Sequence, residues 1–123
     1  MNVEAFVQEM LKVDNAIRWI SIADTDYHVL ASKQREDVPS YAPDEMMQHF
    51  VSIVPEIILE SVEKLSPFIG EVSGVTAHYA KALVIFYRFS NLIVIISFQK
   101  EVETPFYNRI TEAFAKLSAQ YLK

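Results

Sequence analysis

Between Lys81 and Gln99 the chain carries two runs, KALVIFYRFS and NLIVIISFQ, that meet at Ser90-Asn91. Within the first, Leu83, Val84, Ile85, Phe86 and Tyr87 follow one another with no charged residue between them. A strand points successive side chains to opposite sides. A strand that is apolar at every position must therefore be covered on both faces. Ser90-Asn91 supplies a two-residue turn, so the stretch predicts a hairpin at the centre of a sheet, with a further layer on each side. Just upstream, Glu71–His78 reads as a weaker strand that carries Ser73, Gly74 and Thr76. It is polar enough to lie at an edge.

The remainder of the chain supplies the covering layers. Val3, Phe6, Val7, Met10 and Leu11 fall at i, i+3, i+4, i+7 and i+8, one apolar stripe on a short helix. Asn2 is placed to cap it, and Asp14-Asn15 ends it. Ala16–Ala23 switches to a strand period, with Ile17, Trp19, Ser21 and Ala23 on one side and Arg18, Ile20 and Ile22 on the other. Asp24-Thr25-Asp26 has turn chemistry, and Tyr27–Ser32 returns as a second strand. Lys33–Ala42, with Pro39, reads as a loop. A second helix opens at Pro43, with Asp44 and Glu45 in its first turn. Its apolar positions between Met46 and Leu65 are too many for one buried stripe. Pro55 is expected to kink or split this helix, and Ser66-Pro67 to stop it. A last helix begins with Thr104 as cap and Pro105 at its first position, and Phe106, Ile110, Ala113, Phe114, Leu117 and Tyr121 keep helical spacing.

The predicted architecture is an α+β fold of order α-β-β-α-β-β-β-α, built as one domain over residues 1–123. A five-stranded antiparallel sheet is sandwiched by helices, with the first and last helices on one face and the middle helix on the other.

Several function classes are disfavoured at this level. Sixteen acidic residues against eleven Lys and Arg give a net charge of −5, the wrong sign for a phosphate backbone, so no nucleic-acid partner is expected. The run Leu92–Ser97 has strand length, far short of the roughly 20 residues that span a bilayer, so no membrane insertion is expected. Two glycines cannot build a phosphate-cradling loop. The chain has no cysteine, which removes thiol catalysis and thiolate metal sites and fits a cytoplasmic setting. The first residues carry early acidic charge and do not read as a signal peptide. His28, His49 and His78 are isolated in the sequence. No cofactor, metal site or catalytic constellation is expected.

Two carboxylate groupings have structural readings. Asp24 and Asp26 fit turn capping. Glu56, Glu60 and Glu63 read as a solvated helix stripe, with Glu60 and Lys64 as an i,i+4 pair. Trp19, Phe86, Tyr87 and Phe89 read first as core. The alternative to an interaction module is a ligand-sensing domain with an apolar pocket between sheet and helices, for which Arg18, Tyr27, Tyr79 and Tyr87 are the candidate residues.

The first hairpin, IRWISIADTDYHVLAS, the long helix before a three-stranded meander, and the late strand IVIISFQK together resemble the Roadblock/dynein light chain superfamily of the profilin-like group. Ile17, Arg18, Ile22 and Asp24, followed by Ile93–Lys100, also resemble small archaeal proteins of this type. Tyr27 stands where an Asp-x-x-Gly turn would place glycine. The resemblance implies a non-enzymatic homodimer that scaffolds or regulates another protein, with a small GTPase as one partner class. It places the dimer contact on the middle helix (Met47, Phe50, Val51, Val54, Ile57 and Ile58) and the third strand (Val72, Gly74 and Thr76). Surplus apolar surface on that helix and a polar edge strand point the same way independently.

Overall fold

The computed structural model describes residues 1–123 except Tyr27, Glu101 and Glu103, and omits the side chains of Asp44, Ser52 and Thr104. The elements are α1 (Val3–Leu11), β1 (Ile17–Asp24), β2 (Val29–Gln34), α2 (Asp44–Val62), a 3-10 turn (Glu63–Leu65), α3 (Ser66–Ile69), β3 (Val75–His78), β4 (Ala82–Phe89), β5 (Leu92–Gln99) and α4 (Thr104–Tyr121). The five strands form one antiparallel sheet in the order β2-β1-β5-β4-β3. The two apolar runs thus lie inside the sheet, while β3 is an edge, as its polarity predicts.

Both faces are covered. On one, Leu83, Ile85 and Tyr87 of β4 and Leu92, Val94, Ile96 and Phe98 of β5 pack against α1 and α4. Tyr87 stacks on Phe114 with ring centroids 4.4 Å apart, an arrangement that adds about 0.5–1.5 kcal/mol beyond area burial. On the other face, Phe86, Ile93 and Ile95 meet Val51 and Leu59 of α2. Leu92 through Ile96 are all buried, which is why this hairpin cannot serve as an outer strand.

Local signals account for the joints. Asn2 Oδ1 accepts the Ala5 backbone N–H at 3.0 Å, the expected N-cap of α1. The Asn2 backbone N–H in turn bonds the Tyr121 carbonyl, joining α1 to the end of α4. Ser90 turns the β4–β5 hairpin with φ of 56°, the positive value that two-residue hairpin turns require. Arg35 closes the other end of the first hairpin. Its Nη2 donates to the carbonyls of Leu11 and Asp14 and its Nε to that of Ile17. A cation at the C-terminal end of α1 also complements the helix dipole.

Five sequence expectations change. Ile17 lies with Ile20 and Ile22 on the α1/α4 side, not with Trp19. The reason is a bulge: Ile17 pairs with Phe98 and Trp19 with Ser97, so Arg18 is one residue more than β5 can match, and the alternation shifts there. The second strand runs Val29–Gln34 rather than Tyr27–Ser32, and the third begins at Val75 rather than Glu71. Ser66-Pro67 opens the short helix α3 instead of ending a long one, because proline fits the first helical positions. Gly70, with φ of 100°, ends it. Finally, α2 is not split at Pro55 and runs unbroken from Asp44 to Val62.

The β1–β2 turn is organised by one carboxylate. Asp24 Oδ1 accepts the backbone N–H groups of His28 and Asp26, each at 2.9 Å, and Oδ2 lies 3.1 Å from His28 Nδ1. The His28 backbone N–H does most to hold the Asp24 carboxyl below its ordinary 3.8, against an opposing effect of burial. A carboxyl depressed by folding contributes fully above its unfolded value, and that contribution is lost as pH falls through the folded one. Asp24→Ala is therefore expected to lower the urea midpoint at about pH 6 and to cost little at about pH 2. A midpoint difference that stays constant across that range would refute the role given to this charge.

Candidate interaction surface and groove

The face of α2 that points away from the sheet continues into the 3-10 turn and α3 as an apolar ridge. Ile57 is 55% exposed, Leu65 57%, Phe68 82% and Ile69 78%. Ile57, Leu65 and Phe68 are separated by eight and three residues, close to whole helical turns. Such a series leaves large apolar area in water, and exposed apolar surface of this kind marks sites of association. At the sheet edge, β3 has no strand neighbour on its second side among the described residues.

The residues predicted for a dimer contact divide between core and surface. Val51 is 1% exposed and sits in the α2–sheet core, so it holds the helix down rather than facing a partner. Phe50 and Ile58 pack against the same core while remaining partly open, and Met47 and Val54 are likewise half-buried. Ile57 is the predicted position that stands clear. Val72 and Gly74 lie in the segment before β3, and Thr76 pairs with Ile85. A Cβ on Gly74 would come within 3.1 Å of the Tyr87 ring, so glycine there permits close passage over that ring.

A groove of about 550 Å³ opens at one end of the same sheet face. Its floor is Trp19, Ser97, Val84 and Ala82, contributed by β1, β5 and β4. One wall is the first turns of α2, with Met46, Met47 and Phe50, and the rim is formed by residues 39–42 and 79–81. The bulge at Arg18 re-aims its side chain to this rim. Arg18 Nη2 donates to the Pro39 carbonyl at 2.9 Å, and its guanidinium carbon lies 4.2 Å from the centre of the Tyr41 ring. Lys81 Nζ lies 6.0 Å from the same ring centre.

Of the four residues predicted for a pocket, Arg18 and Tyr79 line this groove. Tyr87 does not: its place in β4 turns it to the opposite face, where it is 1% exposed and its hydroxyl meets Thr111 Oγ1 at 3.0 Å. Burial raises its pKa above the usual tyrosine value. Tyr27 lies outside the described residues. Trp19, predicted as core, packs half-buried against the α2-side core and also forms part of the groove floor. His28 and His78 fall on the two opposite edge strands or their flanks, and among the described residues no three His, Asp or Glu side chains gather as a metal site. None of the helices among those residues is long and apolar enough to cross a membrane.

Neither a protein-family model nor a curated protein matches this sequence. Solved structures do match. A Roadblock/LC7 domain from Streptomyces avermitilis superposes with a TM-score of 0.73 at 10% identity, covering 99% of this chain and 98% of that one. MglB of Myxococcus xanthus gives 0.72 at 13% identity, with 97% and 94% covered. The fold is that of the Roadblock/LC7 domains. Profilin IB of Acanthamoeba castellanii also matches, at 0.59 and 10% identity over 94% of this chain and 93% of its own, which places the Roadblock sheet in its wider profilin-like setting.

In this Roadblock fold the angle of α2 on the sheet is fixed by a charge network where the sequence predicts a solvated stripe. Arg88 Nε donates to Glu63 Oε2 at 2.7 Å, and its Nη2 lies 3.2 Å from Glu56 Oε2. All three side chains are largely withdrawn from water. Burial opposes the Arg88 charge, but the Glu63 and Glu56 carboxylates outweigh it and hold the guanidinium more firmly protonated than usual. Glu60 is exposed, and it makes no ion pair with Lys64 among the described residues. The sequence signal for this network was the single cation in an otherwise apolar strand, opposite carboxylates spaced seven apart.

Arg88→Met leaves two partly buried carboxylates without their donor, and such a loss costs about 1–3 kcal/mol. Urea unfolding of Arg88→Met, Glu63→Gln and the double variant is expected to give a coupling above about 0.5 kcal/mol. Strict additivity would show that the pair contributes nothing to holding α2.

Proposed function

We propose that this chain is a non-enzymatic protein-interaction module of the Roadblock type. In this reading it forms a homodimer through α2 and β3, and the dimer scaffolds or regulates another protein in the cytoplasm. The observation that carries the reading is the ridge of Ile57, Leu65, Phe68 and Ile69, large apolar side chains left in water, in a fold whose β3 has a second edge with no strand neighbour among the described residues. A second copy related by two-fold symmetry would cover the same patch on both chains, and edge-to-edge pairing of β3 would supply the hydrogen bonds that the edge lacks. One of the matching structures is an MglB in a tetrameric arrangement, so this fold accommodates self-association. Small GTPases are the partner class that the sequence resemblance implies, and we adopt it for this chain.

Charge on the ridge separates the dimer from the fold. Ile57→Asp is expected to yield a soluble monomer with an unchanged circular-dichroism spectrum, because Ile57 makes little contact within its own chain. Sedimentation at about 50 μM, where a dimer of Kd below 1 μM stays assembled, reads the outcome. Wild-type protein sedimenting as a monomer there would remove the homodimer, and an intact dimer in Ile57→Asp would remove this interface. The GTPase assignment is lost if the protein neither binds the small GTPases of its own organism nor changes their nucleotide turnover.

A further inference from the structure

We propose that the groove at the N-terminal end of α2 is a binding site for a single-chain fatty carboxylate. Three observations converge on that chemistry. The first is shape and lining: about 550 Å³ lies between Trp19, Val84 and Ala82 below and Met46, Met47 and Phe50 at the side, a volume within the range of small-molecule sites. Met46, Tyr41 and Tyr79, at the mouth, are among the most exposed large apolar side chains of the molecule, so the chain leaves this opening uncovered.

The second observation concerns the polar atoms. Two of those at the wall are already engaged with the protein's own backbone. Gln34 Nε2 donates to the Val38 carbonyl at 2.9 Å, and Ser40 Oγ bonds Ala42. The floor comes from β1, β5 and β4, each paired on both sides, so no strand edge is open there. A peptide laid in the groove would bury amides without partners, which costs about 1–3 kcal/mol for each. An alkyl chain has no such groups.

The third is charge. In a chain of net charge −5, the two charged residues lining the groove are both cations, Arg18 and Lys81. Both rest on Tyr41, and neither is held by a carboxylate among the described residues. Arg18 keeps guanidinium N–H donors beyond the one given to Pro39. A carboxylate at the rim would therefore meet two cations while its chain entered the apolar floor.

Trp19 is the one tryptophan of the chain and forms part of that floor, so its emission reports on the site. Titration with sodium dodecanoate below its micelle concentration is expected to change Trp19 emission saturably, with one site per chain. Dodecanol, the neutral isostere, is expected to bind several-fold more weakly. Lys81→Glu, an exposed position, should weaken dodecanoate roughly fivefold and leave dodecanol unchanged, and added salt should narrow the difference between the two ligands. Val84→Phe, which fills the floor, should abolish both, with thermal unfolding followed in parallel to establish that the fold persists. Absence of saturable binding, by Trp19 emission and by the Met46 and Met47 methyl resonances, would overturn the site. Equal affinity for dodecanol and dodecanoate, insensitive to Lys81→Glu, would overturn the carboxylate and point to an acyl chain carried by a partner.

Discussion

The two-sided burial of β5 is the constraint on which the rest of the structure depends. Leu92, Val94, Ile96 and Phe98 need one apolar layer and Ile93 and Ile95 another. At about 25 cal/mol for each Å² of apolar surface removed from water, neither face can be left wet. The chain meets the demand with unequal covers. On one side α1 and α4 together interlock with the longer row, joined end to end by the Asn2–Tyr121 hydrogen bond. On the other a single helix, α2, covers a shorter row, anchored by Val51 and Leu59 and oriented by Arg88. One helix is too narrow to cover five strands. The groove at its beginning and the ridge on its back are both consequences of that asymmetry.

The parts of this arrangement that were legible in the sequence are those governed by period. The stripe of α1, the unbroken apolar runs of β4 and β5, and the spacing of α4 each determine an element and its buried side. Together they imply the order of layers and the edge position of β3. What stayed hidden depends on interruptions of period. The bulge at Arg18 moves Ile17 to the other face without altering composition, and nothing in IRWIS announces it. Ser66-Pro67 is equally compatible with stopping a helix and starting one, and the choice falls to the chain that follows. The chemistry of Tyr87 suits a core position and a pocket alike, and strand parity decides for the core by turning it to the α4 side.

The charge network is hidden from the sequence for a different reason. Glu56 and Glu63 lie on one helical face, and on an isolated helix that face would be solvated. Only the crossing of α2 over β4 brings Arg88 to it, a contact between residues 25 and 32 positions apart. The groove is of the same kind, since its lining comes from six separate stretches of the chain. Periodicity reports which side of an element is buried. It carries no information about where two buried sides fail to meet.

Arg18 bears on how this fold could be edited. Without it, Ile17, Trp19 and Ile20 would alternate regularly across β1, and the ladder with β5 would close with no irregularity at that end. The hydrophobic pattern of the sheet is thus indifferent to this residue, which behaves as an insertion into a strand already complete. What depends on it is the shape of residues 35–43, pinned through Pro39 and Tyr41. A one-residue deletion, ordinarily among the most disruptive changes inside a strand, would here be absorbed by the sheet. Its effect would fall on the loop, so that the scaffold and the rim of its groove can vary independently of one another.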